Sequence, residues 1–114
     1  TVAVGVGSEF VPFSPEAAAK IVDVSSVKPG RPDTTVAYDL ARDTTESGVY
    51  PVVLVSYLQG CMDYADDAQA ELVKAYASFI ISEEGQNVAA EAAGSAPISP
   101  ATREIAQAIL DQVQ

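Results

Sequence analysis

The chain of 114 residues contains no histidine. The commonest general base and the imidazole metal ligand are therefore missing. Its one cysteine, Cys61, can form no internal disulfide and cannot build a thiolate metal site alone. Basic residues are scarce: six Lys and Arg stand against 16 Asp and Glu, for a net charge of −10. No Lys/Arg cluster exists to displace counterions from phosphates, which argues against nucleic-acid binding, and none forms a polybasic membrane contact. Acidity of this size favours solubility and says little about fold. No apolar run approaches the roughly 20 residues that span a bilayer. Internal repeats and low-complexity tracts are absent. No secretory-signal pattern opens the chain: Thr1 stands in ordinary sequence, with no basic n-region and no initiating methionine. The expectation is a piece of something longer, or a processed product.

What is present is globular in composition, at 48 % hydrophobic residues. The length fits one ordinary domain with a core of useful size. The most apolar continuous run is Tyr50 to Leu58, YPVVLVSYL. Val52, Val53, Leu54 and Val55 in a row, without charge, predict a strand buried on both faces, as in a parallel or mixed sheet covered by helices. Pro51 has no N–H to give a ladder, so it belongs at the start of that strand.

Thr1–Val6 reads as extended chain, with a turn at Gly5, Gly7 and Ser8. Ser14-Pro15-Glu16 is a helix start: a capping serine, proline at the first helical position, and an acid at the positive dipole end. That helix runs to about Val22, with Ala18, Ile21 and Val22 as its apolar stripe. Residues 24–35 read as loop, with a turn at Lys28-Pro29-Gly30-Arg31. Val36–Leu40 is a weak strand or a helical turn. After the apolar run, Asp66 and Asp67 open a helix that reaches Ser82. Its Leu72, Val73, Tyr76, Phe79 and Ile80 recur at three- and four-residue steps. Ser82-Glu83-Glu84 restarts a helix that stops at Gly94. Ser99-Pro100 starts the last one, with Ile105, Ala106, Ile109, Leu110 and Val113 as its stripe.

Each chemically suggestive group has a plainer reading, which is favoured here. Gly5-Val6-Gly7 lacks the third glycine of a dinucleotide loop, and no Gly-Lys-Ser/Thr follows, so it is a turn. Asp63, Asp66 and Asp67 lack the alternating spacing of a calcium loop and mark a helix N-terminus. Glu83 and Glu84 diverge by about 100° on a helix and share no proton. Cys61 has no histidine to activate it and reads as a small buried apolar residue. Tyr50, Tyr57, Tyr64 and Tyr76 read as packing residues with surface hydroxyls rather than a stacking platform. The Ser14 and Ser99 helix starts are potential anion sites, although ordinary capping explains both. The residues show no catalytic set, no metal site and no self-contained ligand site.

Three segments carry a family resemblance. Tyr50-Pro51-Val52-Val53-Leu54-Val55-Ser56-Tyr57 resembles the late Tyr/Trp-Pro-Ile/Leu strand of periplasmic phosphate-binding proteins, the solute receptors of phosphate ABC transporters. Leu72 to Gln86 resembles that family's helix ending in Ser-x-x-Gly-Gln. Gly94-Ser95-Ala96-Pro97-Ile98-Ser99 resembles its late Gly-x-x-Pro segment before the final helix. The Cys61-x-x-Tyr64 detail and the alanine-rich helices are similar to the actinobacterial type. The match is specific in the second half of the chain and weak before Tyr50.

The resemblance implies an α/β fold, the C-terminal part of a two-domain type II periplasmic-binding-protein fold, helix-rich after one central buried strand. Residues 1–49 would end the second lobe, 50–58 would be the crossing or hinge strand, and 59–114 would complete the first lobe. It implies a non-enzymatic fragment of an extracytoplasmic protein, periplasmic or at the cell surface and lipid-anchored through a segment before Thr1. Such a protein delivers inorganic phosphate to an ABC transporter permease, without a cofactor. The family's phosphate contacts lie upstream of Thr1, so no ligand-binding residue is expected here and the chain alone is not competent to bind. The alternative is a free-standing interaction or dimerisation module. A small hydrolase would need the nucleophile and base that are missing. On the fragment reading, Val52–Val55 and the stripes Leu72/Tyr76/Phe79 and Ile105/Ile109 lack partners and drive self-association, as a homodimer in which two copies complete each other's sheet.

Overall fold

The computed structural model describes all residues from Thr1 to Gln114. It shows a small mixed α/β domain with four helices and two small antiparallel sheets. The first sheet pairs β1 (Val4–Val6) with β2 (Glu9–Val11), in register Val4 opposite Val11. Gly7, at φ 56°, makes the hairpin turn, and a Cβ there would press on the Thr45 carbonyl. Valines on the inner face, Val6 and Val11, are buried against Ala17 and Tyr50.

Helix α1 (Pro15–Asp23) begins as its sequence dictates: the Ser14 hydroxyl accepts from the Ala17 N–H and Pro15 occupies the first turn. Its inner face is Ala17, Ala18 and Ile21, and Ile21 is 0 % exposed. Val49, 1 % exposed, is the other fully enclosed side chain. The Tyr50 N–H donates to the Ala17 carbonyl at 2.9 Å, and the Tyr50 ring meets Phe13 edge-on at 5.6 Å. The stretch read as loop contains a short strand: β3 (Ser26–Val27) pairs with β4 (Tyr38–Asp39), so the weak strand signal at 36–40 finds its mate across the Pro-Gly turn.

Helices α2 (Asp67–Ile81), α3 (Glu83–Ala93) and α4 (Pro100–Leu110) form the second half. Ser82 serves two of them. Its hydroxyl donates to the Phe79 carbonyl at 2.7 Å and accepts from the Gly85 N–H at 3.0 Å, closing α2 and opening α3. The corner is so tight that a Cβ on Gly85 would collide with the Phe79 carbonyl. Gly94 ends α3 in the left-handed region, at φ 68°. The end of the chain is tied back: the Gln114 N–H donates to the Met62 carbonyl at 2.9 Å and the Tyr64 N–H to the Gln114 carbonyl at 2.6 Å. No helix is long and apolar enough to cross a membrane.

The expected central strand does not form. Residues 51–61 make no backbone–backbone hydrogen bond, and no sheet includes them. Val52 is 62 % exposed and Leu54 92 %, so the run is not buried on both faces. The physical reason is the lack of a neighbour: a ladder needs a second strand, and the short strands of this chain pair with each other. The thin shape follows. The principal extents are 53 × 34 × 17 Å and the radius of gyration is 15.9 Å, against about 13 Å for a compact domain of this length. The exposed area is 7610 Å², where a compact monomer of this mass shows about 5,900 Å².

Candidate functional site

A concave surface lies where the two halves meet. A hollow of about 520 Å³ has α1 as one wall, through Ala18, Ala19 and Val22. The Val52–Ser56 run forms a second wall and residues 94–99 a third, with Phe13 and Thr102 at the margins. The alanines of α1 keep that wall low. A smaller hollow of about 360 Å³ lies on the other side of Leu54 and Val55, bordered by Tyr38, Arg42 and Tyr57.

Arg42 and Asp23, which sequence reasoning did not single out, and Gln86, the last residue of the second resemblance segment, hold this region in place. Arg42 spans two carbonyls of the apolar run: Nη1 donates to Pro51 and Nη2 to Val53, each at 3.0 Å. Carbonyls two residues apart on one side are the mark of extended chain. Gln86 Nε2 donates to the Ile80 carbonyl at 2.8 Å, and its Oε1 accepts from the Ile98 N–H at 3.0 Å. It thus pins residues 94–99 against the α2–α3 corner. Asp23, at the end of α1, accepts from the Ser99 hydroxyl at 2.7 Å. No sequence signal marks Arg42 or Asp23, because each acts across the fold; Gln86 lies at the end of the Leu72–Gln86 segment.

The electrostatics do not suit an anion. No charged side chain borders the larger hollow. Every helix N-terminus is already served by an acid of the chain. Glu16 turns back on its own N–H and the Ser14 hydroxyl, which hold its carboxyl below the ordinary value. Asp23 sits on Ser99 at the start of α4, Asp66 accepts from the Ala68 N–H at 2.9 Å, and Glu83 and Glu84 lie in the first turn of α3. The Ser14 and Ser99 starts are therefore caps already paired with carboxylates rather than open anion sites. Arg103 is engaged as well, its Nε donating to the Ile81 carbonyl at 2.9 Å.

The remaining sequence candidates disperse. Asp66 caps α2 and Asp67 stands in its first turn, as their spacing implies. Cys61 is exposed, not buried, because the segment around it runs over the surface; its N–H donates to the Tyr64 hydroxyl at 3.2 Å. Of the tyrosines, Tyr50 packs on Phe13, whereas Tyr57 and Tyr76 are 53 % and 65 % exposed. Tyr57 and Tyr76 thus correct the expectation of packing, since the surfaces they belong to are open. The Tyr57 hydroxyl accepts from the Tyr38 N–H at 3.0 Å. No protein-family model matches the chain, and no curated protein and no solved structure matches it significantly.

Proposed function

We propose that the chain is the C-terminal portion of an extracytoplasmic solute-binding protein that delivers inorganic phosphate to an ABC transporter. In this reading the 114 residues are scaffold, and the phosphate contacts belong to other parts of the polypeptide. The observation that carries it is spatial. The three stretches that bear the family resemblance, the apolar run, the end of the Leu72–Gln86 segment and residues 94–99, converge on the 520 Å³ hollow. Gln86 joins the last two by a hydrogen bond to Ile98. The acid-served helix starts and the uncharged hollow support a chain that holds no phosphate itself. The finer architecture proposed is the last part of a two-lobed binding protein. In it, residues 50–58 are the crossing between the lobes.

The test is calorimetric titration with phosphate of this chain, alone and joined to the polypeptide encoded upstream of it. Heat from the longer protein only is the expected result. Heat from neither removes the phosphate assignment and favours the second reading, an interaction module, which the exposed Val52, Leu54, Leu72 and Tyr76 also support.

A further inference from the structure

The backbone of residues 52–56 is an open strand edge, and we infer that it pairs with the same edge of a second copy of this chain, antiparallel and centred on Leu54. The inference is independent of the phosphate assignment.

Exposure alternates along Val52–Ser56: positions 52, 54 and 56 are exposed, and 53 and 55 half-buried. With the Arg42 fork on the Pro51 and Val53 carbonyls, this places the run in extended conformation. In a strand the N–H and C=O of one residue share an edge, and successive residues alternate. Arg42 therefore covers the edge used by residues 51 and 53. The opposite edge, used by Val52, Leu54 and Ser56, has no hydrogen-bond partner in the chain. An uncovered edge beside apolar side chains is a template for another strand.

Three observations select a second copy as the occupant. First, the excess surface over a compact monomer is about 1,700 Å², roughly twice what each partner of a standard interface buries. Second, no charged residue occurs from Ser47 to Met62. The charges nearest to Leu54 are Asp39 in the smaller hollow, with Lys28 and Arg42 beside it, so each chain brings one acid and two bases to the contact. Third, the edge suits a twofold: Leu54, 92 % exposed and bordered by hollows of about 520 and 360 Å³, leaves room for a second strand at its centre. A twofold axis at Leu54 sets Leu54 opposite its own copy and Val52 opposite Ser56 of the partner. Each of these residues then exchanges both of its backbone bonds with its mate. Arg42 occupies the Pro51 and Val53 carbonyls of the other edge, so a second strand cannot take the same register there, and assembly closes at two chains instead of growing into an open sheet.

The test is light scattering across a dilution series, with amide hydrogen exchange at both ends of it. The expected species at high concentration has twice the 11.8 kDa chain mass. Protection should rise with concentration at the Val52, Leu54 and Ser56 amides and not at Val53 or Val55. Leu54→Asp places like charges opposite each other, and Leu54→Pro removes the central donor; both should abolish the dimer. Leu54 makes no hydrogen bond within the chain and its side chain is outside, so circular dichroism and melting of the diluted protein should not change. An 11.8 kDa species throughout the series overturns the proposal. So does a dimer that survives both variants, a mass that keeps growing beyond two chains, or protection without alternation.

Discussion

Around α1 the chain encloses its branched aliphatics: Ile21 is 0 % exposed, Val49 1 % and Val6 2 %. In the helical half the buried positions of α2 and α3 are Ala70, Ala77, Ile81 and Gly85, while Leu72, Tyr76 and Phe79 face outward. The first region encloses these three aliphatics, although Phe10 on β2 stays 78 % exposed. The second packs its helices through small residues and presents the large ones. A face of Leu, Tyr and Phe on three- and four-residue steps is what a core-facing helix shows. The difference is that the α1 neighbourhood has its core within the 114 residues, whereas the helical half leaves its large apolar side chains in water. The expectation drawn from the resemblance put Leu72, Tyr76 and Phe79 with Ile105 and Ile109 among the stripes without partners; Ile105 is 44 % exposed, whereas Ile109 is half-buried.

The comparison can be broken most directly in the enclosed region. Ile21→Ala should cost about 2–5 kcal/mol in denaturant unfolding, the range for truncating a fully buried Ile; a loss below about 1 kcal/mol would mean that the α1 core is not what holds this half. Next in size is the α2–α3 corner. Gly85→Ala drives a methyl into the Phe79 carbonyl and should cost roughly 1–3 kcal/mol. Because α2 and α3 are joined there, its melting curve should also broaden. Ser99→Ala removes a cap and the partner of Asp23, for about 1 kcal/mol; equal stability to the parent would show that the link between α1 and α4 contributes nothing.

Leu72→Gln sharpens the contrast from the other side. At 70 % exposed, its loss should change monomer stability by less than about 0.5 kcal/mol, measured under conditions where scattering shows no association. A large cost would mean that the outward face is already covered. The smallest effect is electrostatic. Glu9 is held below the ordinary carboxylate value, first by the Gly48 N–H at 2.7 Å, then by the Ser47 hydroxyl, with Lys20 adding to the effect. A carboxyl whose folded pKa is depressed adds stability above its unfolded value, about 4.3, and that contribution fades as pH falls through the lower folded value. Glu9→Gln should flatten this acid limb and leave neutral pH nearly as it was. The Gly48 amide shift, followed by NMR through the acid range, reports it; a shift midpoint at the ordinary value would remove the claim.

Local structure was legible because its causes are local. Ser14-Pro15, Asp66, Ser82, Gly94 and Ser99-Pro100 mark helix ends that appear at those positions, since a cap needs only neighbours two or three residues away. The turn at Gly7 is of the same kind. The run from Tyr50 to Leu58 was not legible in the same way. Four aliphatics in a row describe an affinity for burial on two faces, but a strand exists only when a second strand supplies its hydrogen bonds, and that is a property of the whole fold. The candidate site divides likewise. Gln86, at the end of the Leu72–Gln86 segment, lies in the resemblance, whereas Arg42 and Asp23 gained their roles only when distant segments met.

By itself, then, the sequence determined where the helices begin and end, that the chain lacks a histidine base or cysteine pair, and that Glu16, Asp66, Glu83 and Glu84 stand at helix starts. The tertiary structure alone decided which apolar residues are enclosed. Burial depends on the number of layers available, and a slab 17 Å thick can enclose Ile21 and Val49 while leaving Leu54 and Leu72 in water.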